Sequence, residues 1–204
     1  MGTLASKDLD YQTTKDILDR CANRINVEIQ RPQPETKTPL IGALVFKVNG
    51  DDCRVDFLDM PLGLTAEKVN QLKLKFDIGS TSIYVMHPFH CLESRAANVT
   101  HVPESYANEN GLRQLKAAIV MVKAFILREA ELDAGQGEEM CQLVKGFCFK
   151  EPALEVFRDH QIDIFEAIPK EVLFERVLTM GYPNWVRQLQ ERRERFAKQP
   201  KRIH

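Results

Sequence analysis

Two β-rich runs, residues 40–48 and 53–58, flank Asn49-Gly50-Asp51-Asp52. Asn-Gly between two such runs predicts a hairpin. Ahead of it, residues 8–11 read as a strand. Thr13 or Thr14 then caps a helix running to about residue 24, with Ile17, Leu18, Cys21 and Ile25 at helical spacing. Residues 26–30 alternate and predict a second strand. Residues 31–39 hold three prolines and read as a loop. Residues 60–65 form another loop, followed by a weakly helical piece and a strand near residues 82–86.

Past Pro88 the period changes from that of strands to that of helices. The clearest helix covers residues 109–133, with Leu112, Leu115, Ile119, Val122, Phe125 and Ile126 on one side. Gly135-Gln136-Gly137 breaks it. Further helices fit residues 89–99, 138–147, 152–160, 171–180 and 185–197, and Tyr182-Pro183-Asn184 reads as a turn. No internal repeat is evident. The change near residue 87 divides the chain into an α/β part, 1–86, and a helical part, 87–204.

A chain of 204 residues is long enough for one sizeable domain or two small ones. Hydrophobic content of 44% and charged content of 28% are those of a globular protein. A net charge of −1 supplies no global field to attract nucleic acid or an anionic membrane. The longest apolar stretch, 117–127, contains Lys123 and is too short to span a bilayer. The N-terminus lacks an apolar run of signal-peptide type. Five cysteines, an odd number with no C-x-x-C, fit a reduced, cytoplasmic set.

Candidate chemistry begins with Asp8-Leu9-Asp10-Tyr11 and Val55-Asp56-Phe57. On a strand, Asp8 and Asp10 point the same way, about 7 Å apart. With Asp56 from a second strand they make an all-oxygen donor set for a hard divalent ion such as Mg²⁺. Such a site suits phosphoryl or nucleotidyl transfer. The plainer reading is a solvated strand edge, with Arg54 and Asp56 as a surface ion pair of little worth. His87, His90 and Cys91 form an H-x-x-H-C cluster, with His101 nearby, but no second ligand pair completes a zinc site. Residues 187–202 hold seven basic residues against Glu191 and Glu194, interleaved with Phe196 and preceded by Trp185. That stretch fits either phosphate contact or a solvated helix end.

Ser6-Lys7-Asp8-Leu9-Asp10-Tyr11 followed by Val55-Asp56-Phe57 resembles the acidic strands of the nucleotidyltransferase superfamily. It is most similar to the AbiEii-type branch of abortive-infection toxin–antitoxin systems. The stretch from His87-Pro88-Phe89 to Ala97-Asn98-Val99 resembles the Pro-started helix that opens the C-terminal half of that branch. The resemblance spans most of residues 6–127. It implies an α+β fold: a nucleotidyltransferase-like mixed β-sheet with flanking helices, then a C-terminal helical bundle. It also implies transfer of a nucleoside monophosphate from a nucleoside triphosphate (NTP) to an RNA or protein acceptor, such as a tRNA end, with a pair of Mg²⁺ ions. Asp8 and Asp10 would then hold metal and triphosphate, and Asp56 would complete the metal site and act as base. Arg95 and Lys116 would bind phosphates. An antitoxin protein is the further partner implied, with no membrane partner.

Three features depart from the pattern. The superfamily carries a hydrophobic-Gly-Ser or Gly-Gly element about ten residues before the acidic pair, where backbone amides hold phosphates. Only seven residues precede Asp8, and Gly2-Thr3 stands too near it. The expectation is therefore an N-terminally incomplete nucleotidyltransferase-like domain, active or degenerate. Glu93 stands where a lysine is expected. Arg113 and Lys116 lack the acidic neighbour the toxins carry. The alternative is a non-catalytic protein- or RNA-binding module on the same scaffold. An unrelated hydrolase or nuclease with a D-x-D metal site fits less well, because no catalytic His or Lys motif lies nearby.

Overall fold

A computed structural model describes residues 8–12, 15–33, 35, 40–48, 50–101 and 109–200; at 8–12, 25, 48, 52, 78, 81 and 83 it describes the backbone alone. The predicted caps Thr13 and Thr14 lie outside the described residues. By its contacts the chain divides into two units, Met1–Ala66 and Glu67–His204.

The first unit contains β1 (Asp8–Gln12), α1 (Lys15–Ile25), β2 (Ile29–Gln30), β3 (Leu40–Val48) and β4 (Asp51–Leu58). They form one four-stranded sheet in the order β1-β4-β3-β2. β3 and β4 make the hairpin, with Val48 opposite Asp51 and a two-residue turn between. Gly50 in that turn has φ +92°, a left-handed backbone that only glycine adopts without Cβ strain. The turn is tighter than the four residues read from the sequence. β1 lies parallel to β4, so the sheet is mixed.

Alternation gives this sheet two different faces. Leu44, Val55 and Phe57 face α1 and pack with Leu18 and Ala22, while Cys21 lies partly buried against the same cluster. Ile17 was expected on that stripe but is 38% exposed, and Ala22 takes part instead. Gly42 permits the close approach of α1, because a Cβ there would sit 2.9 Å from both Leu18 Cδ2 and Ile29 Cγ2. The opposite face carries Arg54 and Asp56.

The second unit opens with most of α2 (Ala66–Gln71) and a two-stranded sheet, β5 (Lys73–Ile78) and β6 (Thr81–Met86). It continues with α3 (Pro88–His101), α4 (Glu109–Leu132), α5 (Ala134–Cys148), α6 (Glu151–His160) and α7 (Tyr182–Ala197). The unit boundary thus precedes the compositional change near residue 87. The β5–β6 hairpin goes with the helices.

The helical core is built from the predicted stripes. Leu115, Ile119, Val122 and Ile126 of α4 pack with Phe89, Leu92 and Ala96 of α3, and with Val144 and Phe147 of α5. Three local readings are corrected. Gly135-Gln136-Gly137 does not separate two helices by a loop. It forms the first turn of α5, capped by Asp133, whose Oδ1 accepts from Gly135 N at 2.8 Å. Tyr182-Pro183-Asn184 is likewise the first turn of α7 and not a separate turn before it. In place of a regular helix over 171–180 stand a 3₁₀ turn, Lys170–Val172, and a π-helical turn, Val177–Gly181, that runs directly into α7. The fold is mixed α+β and mostly helical.

Candidate functional site

The register of β1 against β4 sets the positions of the candidate carboxylates. Asp10 is the Cα partner of Asp56, and Asp8 is the partner of Arg54. Partners on adjacent parallel strands share a face, and so do residues two apart on one strand. Positions 8, 10, 54 and 56 therefore occupy the face opposite α1. Arg54 Nε donates to Asp56 Oδ1 at 2.7 Å, with the Asp56 side chain 23% exposed.

Neighbouring strands lie about 4.8 Å apart, close enough for carboxylates at positions 10 and 56 to share a cation. An all-carboxylate donor set also suits Mg²⁺. Against this, Arg54 already supplies a positive charge to one oxygen of Asp56. Among the described residues no group of three or more His, Cys, Asp or Glu side chains is arranged to hold a metal. Of the acidic positions only Asp56 has a described side chain. Arg95 and Lys116 belong to the second unit. Arg95 is partly buried on α3, and Lys116 is exposed on α4.

The second unit holds a buried polar cluster that the sequence does not reveal. His87 precedes α3 and caps it through its ring, whose Nδ1 accepts from Phe89 N at 3.1 Å. The ring also stands edge-on to Phe125 of α4, with centroids 4.8 Å apart. Burial, followed by the neighbouring His90, pushes the His87 pKa down to about 4. His90 Nε2 donates to the Lys68 carbonyl at 2.9 Å, and its Nδ1 lies 3.0 Å from Glu93 Oε2. Lys68 Nζ reaches Glu93 Oε1 at 3.3 Å, and Lys150 Nζ reaches it at 3.8 Å. Burial raises the Glu93 pKa. The His90 hydrogen bond and the two lysines outweigh that effect and hold the pKa below the ordinary carboxylate value.

This arrangement accounts for the carboxylate at position 93, where the resemblance leads one to expect a lysine. It receives cations from α2 and from the start of α6 and ties both to α3. His90 has partners at both ring nitrogens, and His87 Nδ1 accepts a backbone amide. A zinc site needs about four ligands, and among the described residues no group of three or more His, Cys, Asp or Glu is arranged to hold a metal here. Cys91 Sγ faces the Met86 carbonyl oxygen at 4.0 Å. The cluster is a structural clamp.

The C-terminal basic stretch is also committed in part to packing. Trp185 and Phe196 are buried, with the Lys145 ammonium 4.4 Å from the Trp185 ring and the Arg158 guanidinium 5.0 Å from the Phe196 ring. They do not interleave with the basic residues as exposed stacking platforms. Arg193 stacks on Phe157 at 3.7 Å and pairs with Asp163. No described helix is long and apolar enough to cross a membrane. The chain matches no protein-family model, no curated protein and no solved structure.

Proposed function

We propose that the sheet face bearing positions 8, 10 and 56 is a Mg²⁺-dependent nucleotidyltransferase centre of the AbiEii type. It would move a nucleoside monophosphate from an NTP to an RNA or protein acceptor. The observation that supports this reading is the parallel register of Asp10 with Asp56, two residues after Asp8. Three carboxylates from two neighbouring strands suit a pair of phosphate-bound Mg²⁺ ions, each of which takes one or two protein carboxylates. Asp8 and Asp10 would hold the ions, and Asp56 would bind them from the second strand. Mg²⁺ bound there would neutralise charge that develops on the α-phosphate and the leaving pyrophosphate. Asp56 is also the group proposed to accept the proton of the attacking hydroxyl. Arg54 Nε holds one oxygen of that carboxylate at 2.7 Å and competes with Mg²⁺ for it.

The same ion pair favours a second reading, a non-catalytic protein- or RNA-binding module in which Arg54 stands in for the metal. Incubation with Mg²⁺, each α-³²P NTP and total tRNA separates the two. Label transferred by the parent and lost in a variant with Asp8→Ala and Asp10→Ala supports the enzyme. An absence of transfer, with no heat of nucleotide binding, supports the binding module. An antitoxin protein is an expectation of the resemblance, and a cytoplasmic setting one of the odd, widely spaced cysteines.

A further inference from the structure

Gly137 of α5 packs against Ala130 of α4 and against Val172 in the 3₁₀ turn; a Cβ at Gly137 would come within 2.7 Å of Val172 Cγ1. Beside this close approach runs an open groove within the second unit. Leu127, Ala130, Val172 and Phe174 supply its apolar surface. Phe174 is 52% exposed and Leu127 36% exposed, although water is an unfavourable neighbour for side chains of this size. The apolar surface continues along α4 through Ala124 to Val120, at the spacing of one helical stripe, and Val120 is 68% exposed.

Every charged residue lining the groove is acidic: Glu131, Glu171 and Glu175. Among the described residues no Lys, Arg or His lines it. Lys170, next in sequence to Glu171, has its ammonium 5.0 Å from the Tyr182 ring. An apolar floor rimmed by one sign of charge is a site for the complementary pattern. A second copy joined face to face would set these three glutamates against three identical ones, which opposes a two-fold dimer through this surface.

We propose that this groove docks a cationic amphipathic helix of a partner protein. Its apolar side chains seat over Leu127 and Phe174, and its Lys or Arg heads meet Glu131, Glu171 and Glu175. The proposal is independent of the nucleotidyltransferase reading, and its test measures binding only.

The probe is a fluorescent helical peptide of Leu and Lys at heptad spacing, titrated by anisotropy with the full chain. A matching peptide with Glu in place of Lys serves as the counter-probe. The Lys peptide binds and the Glu peptide does not. Joint substitution Glu131→Gln, Glu171→Gln and Glu175→Gln weakens the Lys peptide at least 10-fold, and Phe174→Ser weakens it at least 5-fold. These positions are exposed, and circular dichroism checks that the variants stay folded. The joint control Glu28→Gln, Glu109→Gln and Glu191→Gln, also at exposed positions, changes nothing. No binding of the Lys peptide, or equal loss in the groove and control variants, overturns the proposal. Sedimentation that shows self-association abolished by Phe174→Ser would also overturn it, by assigning the face to a second copy.

Discussion

Nδ1 of His90 lies 3.0 Å from Oε2 of Glu93, one helical turn further along α3, and both side chains are 4% exposed. His90 Nε2 donates to the Lys68 carbonyl, so the Nδ1–Oε2 hydrogen bond needs one proton between those two atoms. Lys68 and Lys150 supply the charge that lets the carboxylate stay ionised out of water. Glu93→Gln removes that charge while leaving the cations in place. It is expected to cost about 1.5 kcal/mol, the low end for a charged hydrogen bond, because the lysines left behind are 40% and 55% exposed and keep their water. The sign with pH follows from the lowered acidity of Glu93. Its stabilisation is complete above the ordinary carboxylate range and disappears as pH falls through the lowered value. Urea denaturation between pH 7 and pH 3 measures both effects, and an unchanged midpoint in Glu93→Gln would contradict the clamp.

His87 adds a second and earlier pH dependence. Its pKa drops from 6.5 to about 4, first through burial and then through His90. An unfolded chain therefore binds a proton at this residue between pH 6.5 and pH 4 while the folded chain does not. Stability contributed by neutral His87 is complete above pH 6.5 and falls as pH drops through that window, by up to about 3 kcal/mol. Protonation would also remove the acceptor for Phe89 N and set a cation at a helix N-terminus. His87→Asn keeps a capping side chain without the titration. Its stability at pH 5 relative to pH 7 is expected to fall less than the parent's, as read by denaturant midpoints.

Arg54 and Asp56 give a test of the sheet face that needs no substrate. The pair is half exposed on the arginine side, so its loss should change stability by less than about 1 kcal/mol. Under the proposed function, Arg54 competes with the divalent ion for one oxygen of Asp56. Arg54→Gln is then expected to tighten Mg²⁺ binding several-fold in isothermal titration, and Asp56→Asn to abolish it. Weaker binding in Arg54→Gln would mean that the guanidinium positions the carboxylate more than it occupies it.

Local pattern carried much of this fold. Asn49-Gly50 fixed the β3–β4 turn, and the stripe from Leu112 to Ile126 fixed α4. The strand β5 was equally legible, since Leu74, Phe76 and Ile78 alternate with Lys73, Lys75 and Asp77 before Gly79-Ser80. Only a weakly helical piece is expected ahead of residue 82, and α2 is that piece. Gly135 and Gly137 looked like breakers because glycine is a poor helix former, yet Asp133 caps the turn they make. The register of Asp10 with Asp56 depends on β1 pairing with β4 across an intervening helix and two strands. No local pattern specifies that. The Lys68–Glu93–Lys150 convergence is likewise a product of tertiary packing between residues far apart in sequence.

Two glycines of one helix make a paired prediction about packing. At Gly137 an added Cβ would overlap Ala130, stand 3.0 Å from its Cα and reach 2.7 Å from Val172 Cγ1. Backbone cannot yield as a flexible side chain does, so α5 must move away from α4. Overpacking of this kind costs about 1–3 kcal/mol, more than the roughly 1 kcal/mol that alanine gains over glycine within a helix. Gly146, on the same helix, has no atom within 4 Å of its would-be Cβ. There only the propensity term acts, and Gly146→Ala is expected to stabilise the protein by about 0.5 kcal/mol. Gly137→Ala should therefore lower the denaturation midpoint and Gly146→Ala raise it. Gly137→Ala should also weaken the Leu/Lys peptide, because Ala130 and Val172 form part of the groove floor. Two substitutions that shift the midpoint in the same direction would show that propensity, not the α4–α5 approach, governs position 137.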